Sequence, residues 1–177
     1  MAPPEGGAPG VPAAGVDARL YDEVQRFYAR QVQLLGDGDV DRWALTFAED
    51  AVFEQEAPPE KVFAGNAPPV RRGRAEIAAA ARGAVAERAA AGRVRRYLIG
   101  MLTVRRLPDG ALTTRYCAVL VQTPPGGRAA LHLSTTGRDL LVRHGDRWLV
   151  RHRINSHDSE AGSHTGLGQQ KEKPWPI

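Results

Sequence analysis

The sequence predicts an α+β fold: a cone-shaped α+β barrel, with three N-terminal helices packed on a curved antiparallel sheet that encloses a pocket. Three observations predict it. The stretch Leu131 to Arg153, LHLSTTGRDLLVRHGDRWLVRHR, reads as two strands joined by a tight turn at Gly145-Asp146. Further strand-like runs precede it from Arg95 onward. Ahead of those runs the chain is dominated by helical periodicity.

The elements follow in order. MAPPEGGAPGVPAAG is rich in Pro, Gly and Ala, with neither a basic start nor a long apolar run, so residues 1–16 read as a disordered leader rather than a signal peptide. Asp17 is a plausible N-cap for a first helix over 18–35. In it Leu20, Val24, Phe27 and Leu34 share one stripe, and Tyr21, Tyr28, Val32 and Leu35 share the next. GDGDVD (36–41) resembles a calcium loop but lacks the required glycine and the final carboxylate, since Arg42 and Ala48 stand there. It reads instead as a turn in which Asp39 caps a short helix over 40–47, with Trp43 and Phe47 on one face. Residues 51–55 form a short strand with Phe53 and Gln55 on one side and Glu54 on the other. EAPPEKVFAGNAPPVRRG is a Pro-rich excursion with little regular structure, placed to form one lip of the pocket. A third helix runs from Arg74 to Ala91 and stops at Gly92. Four long strands follow, separated by turns at 108–110, 124–127 and 145–146. The domain therefore spans 17–158, and 159–177 is a flexible tail or a pocket flap carrying Trp175.

Composition narrows the function classes. The chain has 177 residues, 42% hydrophobic and 25% charged, which suits one globular domain. No run approaches the roughly 18 apolar residues needed to cross a bilayer, so no membrane role is expected. The net charge of +4 is almost all arginine, scattered in pairs such as Arg71-Arg72 and Arg95-Arg96 rather than gathered with exposed aromatics. That argues against nucleic acid. Cys117 is the only cysteine, which excludes an internal disulfide, makes a cytoplasmic location the default and reads as a buried structural thiol. Ser156-His157-Asp158 is contiguous and so is not a nucleophilic triad. His152, His157 and His164 lack metal spacing. No metal site and no cofactor are expected.

The order helix, short helix, strand, helix, then long strands, with FYARQVQLLGDGDVDRWALTFAEDAVF, RGRAEIAAAAR and the Leu131–Arg153 stretch, resembles the SnoaL-like polyketide cyclases of the nuclear transport factor 2-like fold. The resemblance covers about residues 18–158. It implies a cone that hosts ring cyclases, isomerases, dehydratases, epoxide hydrolases and non-catalytic binders. Members often carry an Asp at the end of the first helix, where this chain has Gly36. The dehydratase branch uses a histidine where RYLIGM places Tyr97. The cyclase branch implies an acid near the last strand, where Asp158 is the only carboxylate of RHRINSHDS.

These readings set the candidate site. Tyr28 and Tyr97 supply phenols that donate to a carbonyl and stabilise an enolate. His152, which shares parity with Trp148 and Val150, or Asp158 moves the proton. Trp43, Phe53, Gln55, Met101, Thr135, Arg153, Asn155 and His157 form the expected substrate-binding set. Arg153 either holds a substrate carboxylate or pairs with Asp139. His132 reads as outward-facing. Tyr116, Ser134 and His132 are expected on the outer sheet face, where a homodimer would close. The function expected is cofactor-independent acid–base chemistry on a small poly-oxo or aromatic, polyketide-like substrate. The alternative is a non-catalytic binding protein or accessory subunit.

Overall fold

Asp17 opens the first helix as the sequence indicates, its carboxylate accepting the Leu20 amide at 2.8 Å. The computed structural model describes residues 15–56 and 70–157. The leader before Gly15, the Pro-rich excursion over 57–69, and the tail with Asp158 and Trp175 lie outside the described residues. In order, the elements are α1 (Ala18–Asp37), α2 (Val40–Ala44), β1 (Phe47–Glu56), β2 (Val70–Arg72), α3 (Gly73–Ala90), β3 (Val94–Arg106), β4 (Leu112–Thr123), β5 (Ala130–His144) and β6 (Arg147–His157). α1 ends at Gly38, whose φ of 82° suits a residue without Cβ and lets its N–H reach the last-turn carbonyls.

One curved sheet carries all six strands in the order β2-β1-β6-β5-β4-β3. The expectation of a wholly antiparallel sheet is corrected at one joint. β1 runs parallel to β6, with Val52 opposite His152 and Gln55 opposite Asn155. Such a pairing needs a long crossover, here everything from β2 to β5. Two boundaries also move. The second helix stops at Ala44, so Phe47 begins β1 instead of ending the helix, although its ring still meets Trp43 at 4.7 Å. The short β2, paired with β1 through Phe53 and Arg71, emerges at the end of the Pro-rich excursion.

Helices α1 and α3 cover one face of the sheet, called inner here, and the core lies between them. Val24, Phe47, Leu112, Leu141 and Val150 are fully buried there, each worth about 1.5–3 kcal/mol by apolar burial. Register assigns the inner face strand by strand. Leu112, Thr114, Tyr116 and Ala118 of β4 stand opposite Leu141, Asp139, Gly137 and Thr135 of β5. Asp139, Gly137 and Thr135 stand in turn opposite Arg153, Asn155 and His157 of β6.

Bulges overturn parity readings. One at His132, between the pairs Leu120↔Leu133 and Val121↔Leu131, brings His132 to Arg95 on the inner side instead of the outer face. The β5–β6 ladder also shifts, at Arg151, between the pairs Leu141↔Val150 and Leu140↔His152. An extra residue flips every side chain beyond it. His152 therefore leaves the face of Val150 and bonds Glu54 on the outer side, Nε2 to Oε1 2.8 Å, while Arg153 turns inward. Another bulge is centred on Met101, with φ 53°, between Gly100 and Thr103; it leaves Met101 83% exposed instead of lining the interior. Tyr116 is likewise corrected from the outer face to the core, and Cys117 from buried to exposed. Ser134 has the opposite parity from Tyr116's partners and does lie on the outer side.

Candidate functional site

A polar network occupies the space between α1 and the sheet. Helical spacing on α1 puts Tyr28 and Gln31 on its buried face, three residues apart. Strand alternation brings Thr114, Asp139 and Arg153 beneath them from three neighbouring strands. Arg153 grips Asp139 with a fork, Nε to Oδ1 2.9 Å and Nη2 to Oδ2 2.5 Å, and its Nη2 also donates to Gln31 Oε1 at 2.8 Å. Tyr28 donates its single proton to Asp139 Oδ2 at 2.8 Å, so Thr114 is the donor in the 2.5 Å bond to the phenol oxygen. Gln31 directs its amide N–H to Thr46 at 2.6 Å. Asp139 is 0% and Tyr28 1% exposed. Every charge in this network is paired and hydrogen-bonded, the condition on which burial of an ion pair is tolerated.

Toward the His157 end of the sheet the inner face stays polar but becomes half-open. Tyr116 donates to Asn155 Oδ1 at 3.4 Å. Gln55 accepts from Arg71 at 3.0 Å, and Thr135 donates to the Ser156 carbonyl at 2.8 Å. Tyr97, half-buried on β3, accepts a long 3.5 Å bond from Arg88, which also reaches the Leu35 and Gly36 carbonyls. Gly137 is required beneath Tyr116, because a Cβ there would overlap the phenol ring.

The electrostatics follow from burial. Desolvation lifts the Tyr28 phenol well above its ordinary value, with the Asp139 charge adding to the rise and Arg153 opposing it. Burial raises Tyr116 as well. For Arg153 burial alone favours deprotonation, but attraction to Asp139 outweighs it and the net shift is upward. Both phenols thus stay protonated and Arg153 stays charged through any physiological pH. His132 moves the other way: burial and then the Arg95 and Arg93 charges lower it.

Of the residues singled out from sequence, Tyr28, Tyr97, Phe53, Gln55, Thr135, Arg153, Asn155 and His157 share the inner face. Trp43 is buried in the core against Phe47. Met101 and His152 point away, and Asp158 lies outside the described residues. Sequence reasoning missed Gln31, Thr114 and Tyr116. In TTRYCAVLVQT both parities carry apolar residues, so alternation alone does not say which faces inward. Among the described residues no cluster of three or more His, Cys, Asp or Glu is arranged to hold a metal.

A curved six-stranded sheet with helices on one face and a polar cluster between them defines an α+β protein with the nuclear transport factor 2-like fold. An NTF2-like protein with a cystatin-like fold from Novosphingobium aromaticivorans matches it with a TM-score of 0.63, at 24% identity over 82% of this chain and 89% of that one. The chain belongs to the SnoaL-like domain family, whose model matches residues 16–154. Among solved structures, Aln2 from a Streptomyces species is 30% identical, with a TM-score of 0.69, over 81% of this chain and 94% of that one. ActVI-ORFA from Streptomyces coelicolor is 26% identical, with a TM-score of 0.69, over 80% and 97%. A Catenulispora acidiphila protein solved in complex with S-DNPA is 29% identical, with a TM-score of 0.63, over 80% and 95%. No match to a curated protein was found. No described helix is long and apolar enough to cross a membrane.

Proposed function

We propose that this protein is a cofactor-independent acid–base enzyme acting on a small poly-oxo or aromatic intermediate of polyketide type, as a cyclase, dehydratase or isomerase. The observation that carries the reading is the polar inner face: a buried, fully paired Asp139–Arg153 fork beneath phenols whose protons burial retains. Tyr28 fixes the fork. Tyr97, on the same inner face, is the donor: its oxygen accepts from Arg88, so its own proton is left for a substrate carbonyl. As a proton leaves the adjacent carbon, the oxygen gains charge and the hydrogen bond strengthens, which lowers the barrier. His157, on the same inner face, takes that proton, with the adjoining Asp158 as the other candidate base. His152 is bonded to Glu54 on the opposite face and has no part in this scheme. Phe53, Gln55, Thr135 and Asn155 line the route to the substrate and orient it. The enclosing cone is part of the proposal, as is a cytoplasmic homodimer that buries the exposed Leu98, Met101 and Leu131 of the outer side.

The test is turnover of a poly-oxo aromatic intermediate by purified protein. Tyr97→Phe and His157→Ala should fold normally and lose at least tenfold in kcat, with Asp158→Asn separating the two bases. Full activity in both Tyr97→Phe and His157→Ala removes the assignment. A second reading, a non-catalytic binder, is favoured by one observation: Tyr28, Gln31, Asp139 and Arg153 direct their hydrogen bonds to one another and to Thr46 and Thr114. Tight binding of the intermediate without conversion selects it.

A further inference from the structure

We propose a second ligand site, at the opposite end of the sheet from His157, that takes a planar organic carboxylate. A cavity of about 650 Å³ opens there between the first turn of α1, the β3–β4 turn and the β5–β6 hairpin. That volume suits a small organic molecule.

Its donors and acceptors are out of balance. The three carboxylates on its walls are engaged. Asp17 caps the Leu20 amide, Glu23 holds Arg143 at 2.5 Å, and Asp109 accepts the Ala111 amide at 3.0 Å. The donors are not. Trp148 is 7% exposed, and its indole Nε1–H is buried with no hydrogen-bond partner. Arg19 and Arg106 line the same cavity and form no ion pair among the described residues. A buried donor left unmade costs about 1–3 kcal/mol, so a ligand acceptor there is favoured. The guanidiniums of Arg19 and Arg106 on the same walls, left without ion pairs among the described residues, favour an anion, and the forked geometry of arginine suits a carboxylate.

The apolar part of the wall selects the rest of the molecule. Leu20 and Val142, beside the Arg143 guanidinium that lies over the Trp148 ring at 4.8 Å, offer a surface for an aromatic body. None of these residues belongs to the proposed catalytic set, so the two sites stand or fall separately.

The test is a titration of the 15N-labelled full chain with 2-naphthoate, followed on the Trp148 indole N–H resonance, which Trp148→Phe identifies. The expected result is a saturable downfield shift. Affinity should fall about tenfold with neutral 2-naphthamide, and about tenfold in Arg19→Gln or Arg106→Gln. An indole resonance that does not move at millimolar 2-naphthoate overturns the proposal. So does equal affinity for the amide, or a response confined to Asn155 and His157.

Discussion

Removing Arg153 tests the buried network most directly. Arg153→Met keeps most of the side-chain length but deletes two hydrogen bonds to Asp139 and one to Gln31. Asp139, 0% exposed, would keep only the neutral phenols of Tyr28 and Tyr116 near its charge. Breaking a buried pair from one side typically costs about 3–5 kcal/mol, because the stranded charge cannot be rehydrated. For a chain of this size each kcal/mol lowers Tm by about 2–4 °C, so a drop of roughly 6–20 °C is expected. Removing both charges together, as in Arg153→Met with Asp139→Leu, should recover most of that loss, since apolar replacements of a buried pair are often near neutral. The assay is urea unfolding of wild type, both single variants and the double variant, read as a double-mutant cycle. A single variant within about 1 kcal/mol of wild type would refute the reasoning, as would a double variant no more stable than the worse single.

Gly137→Ala should destabilise by about 1–3 kcal/mol in the same unfolding assay, because the new methyl drives Tyr116 from its place. Asp17→Ala should cost about 1 kcal/mol through loss of the α1 cap, visible as a lower urea midpoint. His152→Ala should leave turnover within about twofold of wild type, since it lies across the sheet from the proposed site; a loss comparable to that of His157→Ala would put the chemistry on the wrong face. The raised phenols of Tyr28 and Tyr116 predict an alkaline limit. Unfolded tyrosines ionise near pH 10 while these two stay protonated in the folded state, so their stabilising contribution is intact below that pH and lost as pH rises above it. Absorbance at 295 nm should then rise in two stages, the second coinciding with loss of circular dichroism; a single stage without unfolding would contradict the burial.

Local rules were enough for much of this fold. The Asp17 cap, the buried stripe of α1 and the glycine-bearing turns at 110 and 145 depend on neighbours in sequence, and they stand where the patterns put them. What escaped depends on partners far along the chain. The Arg151 bulge is set by how β6 fits between β1 and β5, and it alone decides that Arg153 rather than His152 faces inward. Tyr116 points in because Gly137, on another strand, leaves room for its ring. The sequence points to Asp139 only as a partner for Arg153; that Tyr28 joins the same carboxylate needs a helix to cross two strands at the right height. The parallel joint of β1 to β6 has no turn signal to announce it, because roughly a hundred residues separate the paired positions, as Val52 and His152 illustrate.

That joint shapes how the molecule is made. Among the described strands β6 alone links the β1–β2 pair to β3–β5, so two halves of the sheet meet across a segment that leaves the ribosome after both. Closing so wide a loop costs entropy before any contact offsets it, and topologies of this kind assemble slowly. Until residue 157 is available, the flank of β1 that β6 covers has nothing to zip against, and an unpaired edge of that kind is open to misassembly.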